Sequence, residues 1–155
     1  MAELMQIREV RNYRPMTVTL AGGFIAMCFT PFFGGSLSDA LAAFPIGMAT
    51  QFLVQKCEQL QINFIVRIIS TSVILTSAAL FLHQLGIIRN TDSVIIGSLM
   101  LLVPGLAITN AVRDSIGGDL LAGIIRAIEA CLIAVAIALG AGVTMSIWLS
   151  VSGGA

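Results

Sequence analysis

The residues of this 155-residue chain best suited to chemistry stand just after a proline-glycine pair. In Leu101 to Asp119, "LLVPGLAITNAVRDSIGGD", Pro104 and Gly105 interrupt an apolar run, and Thr109, Asn110, Arg113, Asp114 and Asp119 follow. Pro104 has no N–H for the Met100 carbonyl, and its ring pushes that carbonyl aside, so the helix bends or breaks there. A segment restarting at about Gly105 presents unpaired N–H groups and the positive end of its dipole, a setting that attracts a carboxylate. At about 100° per residue, Thr109, Asn110 and Arg113 fall within roughly 100° of one another, so hydroxyl, amide and guanidinium converge. Binding of a small anion is the chemistry this arrangement offers. A plain proline kink followed by a polar helix end accounts for the same residues.

Two other stretches carry polar groups at helical spacing. Asn63, Arg67, Ser70, Thr71, Ser77 and Gln84 fall within an arc of about 140°, forming a stripe along an otherwise Val-, Ile-, Leu- and Phe-rich helix. A stripe of that length fits a wet path or a protein interface, and Arg67 is also near enough to the helix end to snorkel to the headgroups. Further on, Asp119, Gly123, Arg126, Ala130, Gly140, Ala141 and Thr144 share a face, with Glu129 at its margin. Small residues there allow close helix approach, and Arg126 with Glu129 reads as an ion pair buried by that approach. The sharper alternative makes Glu129 a proton carrier and Arg126 a contact for an anionic substrate.

The elements that must position these residues are membrane helices. Hydrophobic residues make up 57% of the chain and charged ones 10%, too much apolar surface for a water-soluble domain of this size to hide. A hydrocarbon core of about 30 Å takes about 20 helical residues per crossing. The sequence predicts an all-α integral membrane protein of about five spans: Met16 to Phe33, Leu37 to Val54, Ile62 to Leu82, Ser93 to Val112 and Leu120 to Leu149. Pro45 and Gly47 are read as interrupting the second span, as Pro104 and Gly105 do the fourth, and broken helices at mid-membrane recur at transporter sites. The domain reading is a short cytoplasmic segment over 1–15, a five-span domain over 16–149 and a short outer tail over 150–155. Arg8, Arg11, Arg14, Lys56 and Arg113 fall on one side and only Arg89 on the other, which puts the N-terminus in the cytoplasm and the C-terminus outside.

Other classes find little support in the residues. The first span is too long, and followed by too many others, for a cleaved signal peptide. Cys28, Cys57 and Cys131 are scattered, without the spacing of a disulfide framework or a metal site. Net charge is zero and no basic stripe is present, so nucleic acid is not an expected partner. No nucleophile and base pair suggests an enzyme, and no cofactor or metal is expected.

The segment "LLVPGLAITNAVRDSIGGDLLAGIIRAIEACLIAVAIALG", Leu101 to Gly140, resembles the hallmark region of the threonine/serine exporter family, with its VPG, TNAxRD, GDLLxG and RxxEA elements. "FGGSLSDALAAFPIG", Phe33 to Gly47, is also similar to that family, so the resemblance covers nearly the whole chain from Arg11. It implies a bacterial inner-membrane exporter linked to the proton gradient, carrying threonine and serine in some members and dicarboxylates such as succinate in others. By position the motif residues are Pro104, Gly105, Thr109, Asn110, Arg113, Asp114, Gly118, Asp119, Arg126 and Glu129. From these, Pro104, Gly105, Thr109, Asn110 and Arg113, joined by Arg67, are the expected substrate pathway. Glu129, Arg126, Asp119 and Asp114 are the expected proton-coupling or ion-pair residues. Members of this family usually carry a soluble region before the first span, and about fifteen residues stand there in this chain. The expected partners are therefore the bilayer, a small carboxylate or amino acid, and a companion five-span protein or further copies of the chain. The rival reading is a scaffold subunit or truncated fragment that transports nothing.

Overall fold

A computed structural model describes residues 15–152, and the stretch 1–14 with its three arginines lies outside the described residues. Those residues form six helices: α1 Pro15–Phe32, α2 Leu37–Gln59, α3 Phe64–Gln84, α4 Thr91–Leu99, α5 Gly105–Ile116 and α6 Leu120–Ser152. Four of them, α1, α2, α3 and α6, are long and apolar enough to cross a bilayer. The chain turns back on itself after each long helix, so the α1–α2 and α3–α4 turns lie at one end of the bundle, called upper here. The α2–α3 and α5–α6 turns lie at the other, lower end.

Small residues set the closest approach. Gly22 and Gly23 of α1 lie against α2, and a Cβ on Gly47 of α2 would come 2.6 Å from the Ala26 Cβ and from the Gly22 carbonyl. Above that contact Ala26, Ala42, Ala43, Ile46, Leu75, Ala79, Leu80, Val94 and Ile95 join α1, α2, α3 and α4 in one buried cluster. A second cluster, Ile68, Ile133, Ala136 and Ile137, holds α3 to α6. Close backbone approach of this kind gains van der Waals contact, the main attraction between helices once lipid removes the hydrophobic drive.

Pro45 does not interrupt the second span. Helix α2 runs unbroken from Leu37 to Gln59 with Pro45 inside it. The proline ring lies on the exposed side, where it costs the helix one bond, from the Leu41 carbonyl, while the opposite face stays fixed on α1 through Gly47. Gly47 thus serves contact, not a break. At the upper end α6 continues to Ser152.

The fourth apolar stretch is two helices. Helix α4 ends at Leu99, and the chain winds down through Met100 N–H to the Ile96 carbonyl, Leu101 N–H to Ser98 and Leu102 N–H to Leu99. Pro104, at φ −80° and ψ 57°, then centres a tight turn in which the Gly105 N–H donates to the Val103 carbonyl at 2.8 Å. That is inverse γ-turn geometry, and the residue before a proline is itself pushed out of the helical region. Below the turn α5 packs along α6, where a Cβ on Gly123 would come 3.0 Å from the Ala111 carbonyl. The α5–α6 pair is a hairpin that meets the rest of the bundle through α6.

Candidate functional site

A cavity of about 280 Å³ lies under the helix break. Its walls are Gln51 and Val54 of α2, Phe64, Arg67, Ile68 and Thr71 of α3, Leu101, Leu102 and Pro104 of the break, and Ile133 of α6. Each wall has a local cause. Asn63 caps α3 by accepting the Ile65 N–H at 3.0 Å, which starts the helix so that Phe64, Arg67, Ile68 and Thr71 share one face. The proline turn carries Leu101 and Leu102 inward, where an unbroken helix would have filled the space with its own next turn.

Arg67 is the charged group in this wall. Its guanidinium Nη1 donates to Glu58 Oε1 at 2.8 Å, its side chain is 17% exposed, and it stacks over the Phe64 ring at 5.2 Å. Only one of the five guanidinium N–H donors is taken by Glu58, so the rest remain for a ligand. Thr71 is spent locally, its hydroxyl donating to the Arg67 carbonyl at 2.7 Å. Gln51 keeps its amide for the cavity among the bonds the structure shows. Val54, Phe64, Ile68, Leu101, Leu102 and Ile133 supply an apolar lining, so the cavity can seat a small molecule with one anionic group and a short carbon chain.

The other expected site residues are distributed along the hairpin. Pro104 lines the cavity, and Gly105, next to it, starts α5 on the exposed side. Thr109 is exposed and its hydroxyl is bonded to the Gly105 carbonyl at 2.8 Å, a bond within its own helix. Asn110 is half-buried, and Arg113 is exposed with no ion pair among the described residues. Arg126 pairs with Asp114, Nε to Oδ2 at 2.9 Å, and not with Glu129, which is exposed. Helix α5 lies beside Arg126 and presents Asp114 to it, so the carboxylate from the neighbouring helix takes the place of the one on the same helix. Asp119 accepts the Ala122 N–H at 3.1 Å and starts α6. By helical facing, Arg126 and Glu129 leave α6 on the side that Ile133 and Ile137 turn toward α3, and Asn110 lies one turn from Asp114 on α5. These four residues therefore share the hairpin edge below the cavity.

Two residues near the cavity escaped the sequence reading, Gln51 and Glu58. Both belong to a polar series, Gln51, Gln55 and Glu58, at i, i+4 and i+7 in the lower half of α2, a signal hidden by ending the second span at Val54.

Residues 1–148 match a family model whose description reads "Putative threonine/serine exporter". The chain belongs to the threonine/serine exporter family. Two relatives of this exporter-family chain share its sequence at 28% identity. One is the "Probable succinate transporter subunit YjjP" of Escherichia coli (strain K12), aligned over 92% of this chain and 56% of the relative. The other bears the same name in Klebsiella aerogenes and aligns over 92% of this chain and 55% of the relative. The chain thus spans about half the length of the curated relatives it matches. No solved structure matches it. Family membership and four apolar helices make it a multi-pass membrane protein of a transporter family.

Proposed function

We propose that this chain is a membrane subunit of a secondary exporter for small carboxylate-bearing metabolites, threonine and serine or a dicarboxylate such as succinate, driven by the proton gradient. The observation that carries the reading is the cavity beneath the Pro104 turn with Arg67 in its wall. Arg67 holds the substrate carboxylate and Gln51 a second polar group. Pro104 and Gly105 keep the backbone open at that depth, and Thr109, Asn110 and Arg113 line the approach along α5. Glu129 takes up and releases the coupling proton, with Asp114, Asp119 and Arg126 around the lower end of the hairpin. The nine residues of α4 and the twelve of α5 add up to about 32 Å of helix rise, enough for one interrupted crossing, which brings the count to five.

On this reading the lower end faces the cytoplasm of a bacterial inner membrane, because Lys56 and Arg113 lie there and cations are retained on that side. A companion five-span protein completes the route. The word "subunit" in the relatives' names supports that partner, and so does the exposed α5 face with Thr109 and Arg113, which the described residues leave uncovered.

The test is flux of labelled threonine, serine and succinate in reconstituted vesicles, with and without a companion five-span protein and a pH gradient. Arg67→Ala is expected to lower flux by about tenfold or more, the scale for removing one partly desolvated charge contact. Glu129→Gln is expected to leave binding in place and abolish the response to the gradient. Intact flux in both variants defeats the transport roles. If Arg113→Ala and Glu129→Gln kept flux but lost assembly, the scaffold reading would replace this one.

A further inference from the structure

The family description names amino acids and the relatives' names a dicarboxylate, and the charges around the cavity bear on which suits this chain. The cation in the wall, Arg67, comes with an anion attached. Glu58 sits 2.8 Å from its guanidinium, at the turn end of α2, with 56% of its side chain exposed and its second oxygen without a bond among the described residues. Glu58 stands outside the lining itself, one helical turn beyond Val54 on the same face of α2; of the lining residues besides Arg67, Gln51 and Thr71 are polar and uncharged and the rest are apolar. Among the described residues the site therefore carries a neutral pair, not a positive patch.

We infer that Glu58 reads the charge of the metabolite, so that the cavity selects a zwitterion, one carboxylate beside one ammonium, over a dicarboxylate. The inference rests on the reading of the cavity as the substrate site. A carboxylate entering toward Arg67 takes guanidinium N–H groups that Glu58 leaves open. An ammonium on the adjacent carbon then falls near the free Glu58 oxygen, and the two charges of the ligand match the two of the protein. A dicarboxylate of similar length finds no second cation among the lining residues, and its charge is repelled by Glu58. Gln51 is left for a side-chain hydroxyl, which it can meet as donor or acceptor.

The deciding experiment is equilibrium binding to the full chain in lipid nanodiscs, with L-serine, succinate and 3-hydroxypropionate, which is serine without its amine. Wild type is expected to bind serine about tenfold more tightly than 3-hydroxypropionate and more tightly than succinate, the scale of one half-exposed charge contact. Glu58→Gln is expected to erase the difference between serine and 3-hydroxypropionate and to strengthen succinate. A variant that merely misplaced Arg67 would weaken all three ligands together, so the ratio separates charge reading from structural support. Glu58→Asp, keeping the charge, is expected to restore most of the serine preference. Equal binding of serine and 3-hydroxypropionate by wild type, or a preference that survives Glu58→Gln, overturns the inference. Serine binding lost in Arg67→Ala beside either result leaves the cavity as the site and removes only the role of Glu58. Serine binding unchanged in Arg67→Ala removes the cavity reading itself.

Discussion

The two ends of the bundle are held by different forces. At the upper end polar bonds stitch three helices together around Asp39, which is fully buried. Its Oδ2 accepts the Ser36 N–H at 3.0 Å and the Ser36 hydroxyl at 2.6 Å, and its Oδ1 accepts the Arg89 N–H at 2.8 Å, from the turn that leads into α4. Ser93 of α4 donates to the Phe33 carbonyl at 3.0 Å, and Asn90 to the Gly34 carbonyl at 3.4 Å. At the lower end the ties are of another kind. There α2 and α3 are tied by the exposed Glu58 to Arg67 pair, α1 and α2 by Gln55 to Thr19 and Pro15, and α5 by its groove on α6. The cavity lies between the two regimes, where the stitched half-helix α4 ends. A buried carboxylate with several donors is costly to unmake and defines one arrangement, whereas exposed ion pairs and small-residue grooves hold weakly. The upper end is thus the more firmly tied of the two, and the lower end is the cheaper to rearrange.

The largest effect expected from this contrast is at Asp39. Asp39→Ala leaves the part-buried Ser36 and Arg89 N–H groups without their acceptor, so a loss of about 2–3 kcal/mol is expected, the scale for stranding donors that served a charged group. Thermal unfolding in detergent measures it, and a shift no larger than that of an exposed substitution removes the distinction between the ends. Next in size is Gly123→Leu. Its side chain would collide with Ser115 and the Ala111 carbonyl, prying α5 from α6 at a cost of about 1–3 kcal/mol. Because α5 meets the bundle through α6, the change is expected to expose a cysteine placed at Ser115 to a thiol reagent while the upper end keeps its protection. Loss of protection at both ends together would mean that the molecule unfolds as one unit.

The sequence makes the upper stitch legible after the fact and the lower chemistry legible in part. Ser36 and Asp39 have the spacing of a capping box, and the structure has both halves of it; what no local pattern supplies is the third partner, the Arg89 N–H, fifty residues away. The helix break at Pro104 has a local cause that the sequence displays, a missing N–H and a ring, but that cause does not decide the outcome by itself. Pro45 carries the same local signal with the opposite result, since the face of α2 opposite its ring is gripped by α1. Spacing along one helix pairs Arg126 with Glu129, and the carboxylate that Arg126 meets, Asp114, comes from the neighbouring helix. Local chemistry thus reads out of sequence where backbone sterics decide, and fails where the choice depends on which helix lies alongside.

The smallest expected effect sharpens the account of the lower end. Arg126 and Asp114 are bonded at 2.9 Å, with 48% and 29% of their side chains exposed, and the pair joins α5 to α6 near their turn. If that part of the hairpin sits in water, as the polar edge with Asn110 and Glu129 argues, the pair is screened and Arg126→Ala costs only about 0.5 kcal/mol, with a smaller cost still in high salt. In hydrocarbon the same substitution would strand the Asp114 charge, and the loss would rise to about 3 kcal/mol or more and respond little to salt. Unfolding of Arg126→Ala and of Asp114→Ala at low and high salt decides between these cases. The small, salt-sensitive value fits a wet lower hairpin through which a polar solute can reach Arg67, and the large one would put the α5–α6 edge in lipid and close that approach.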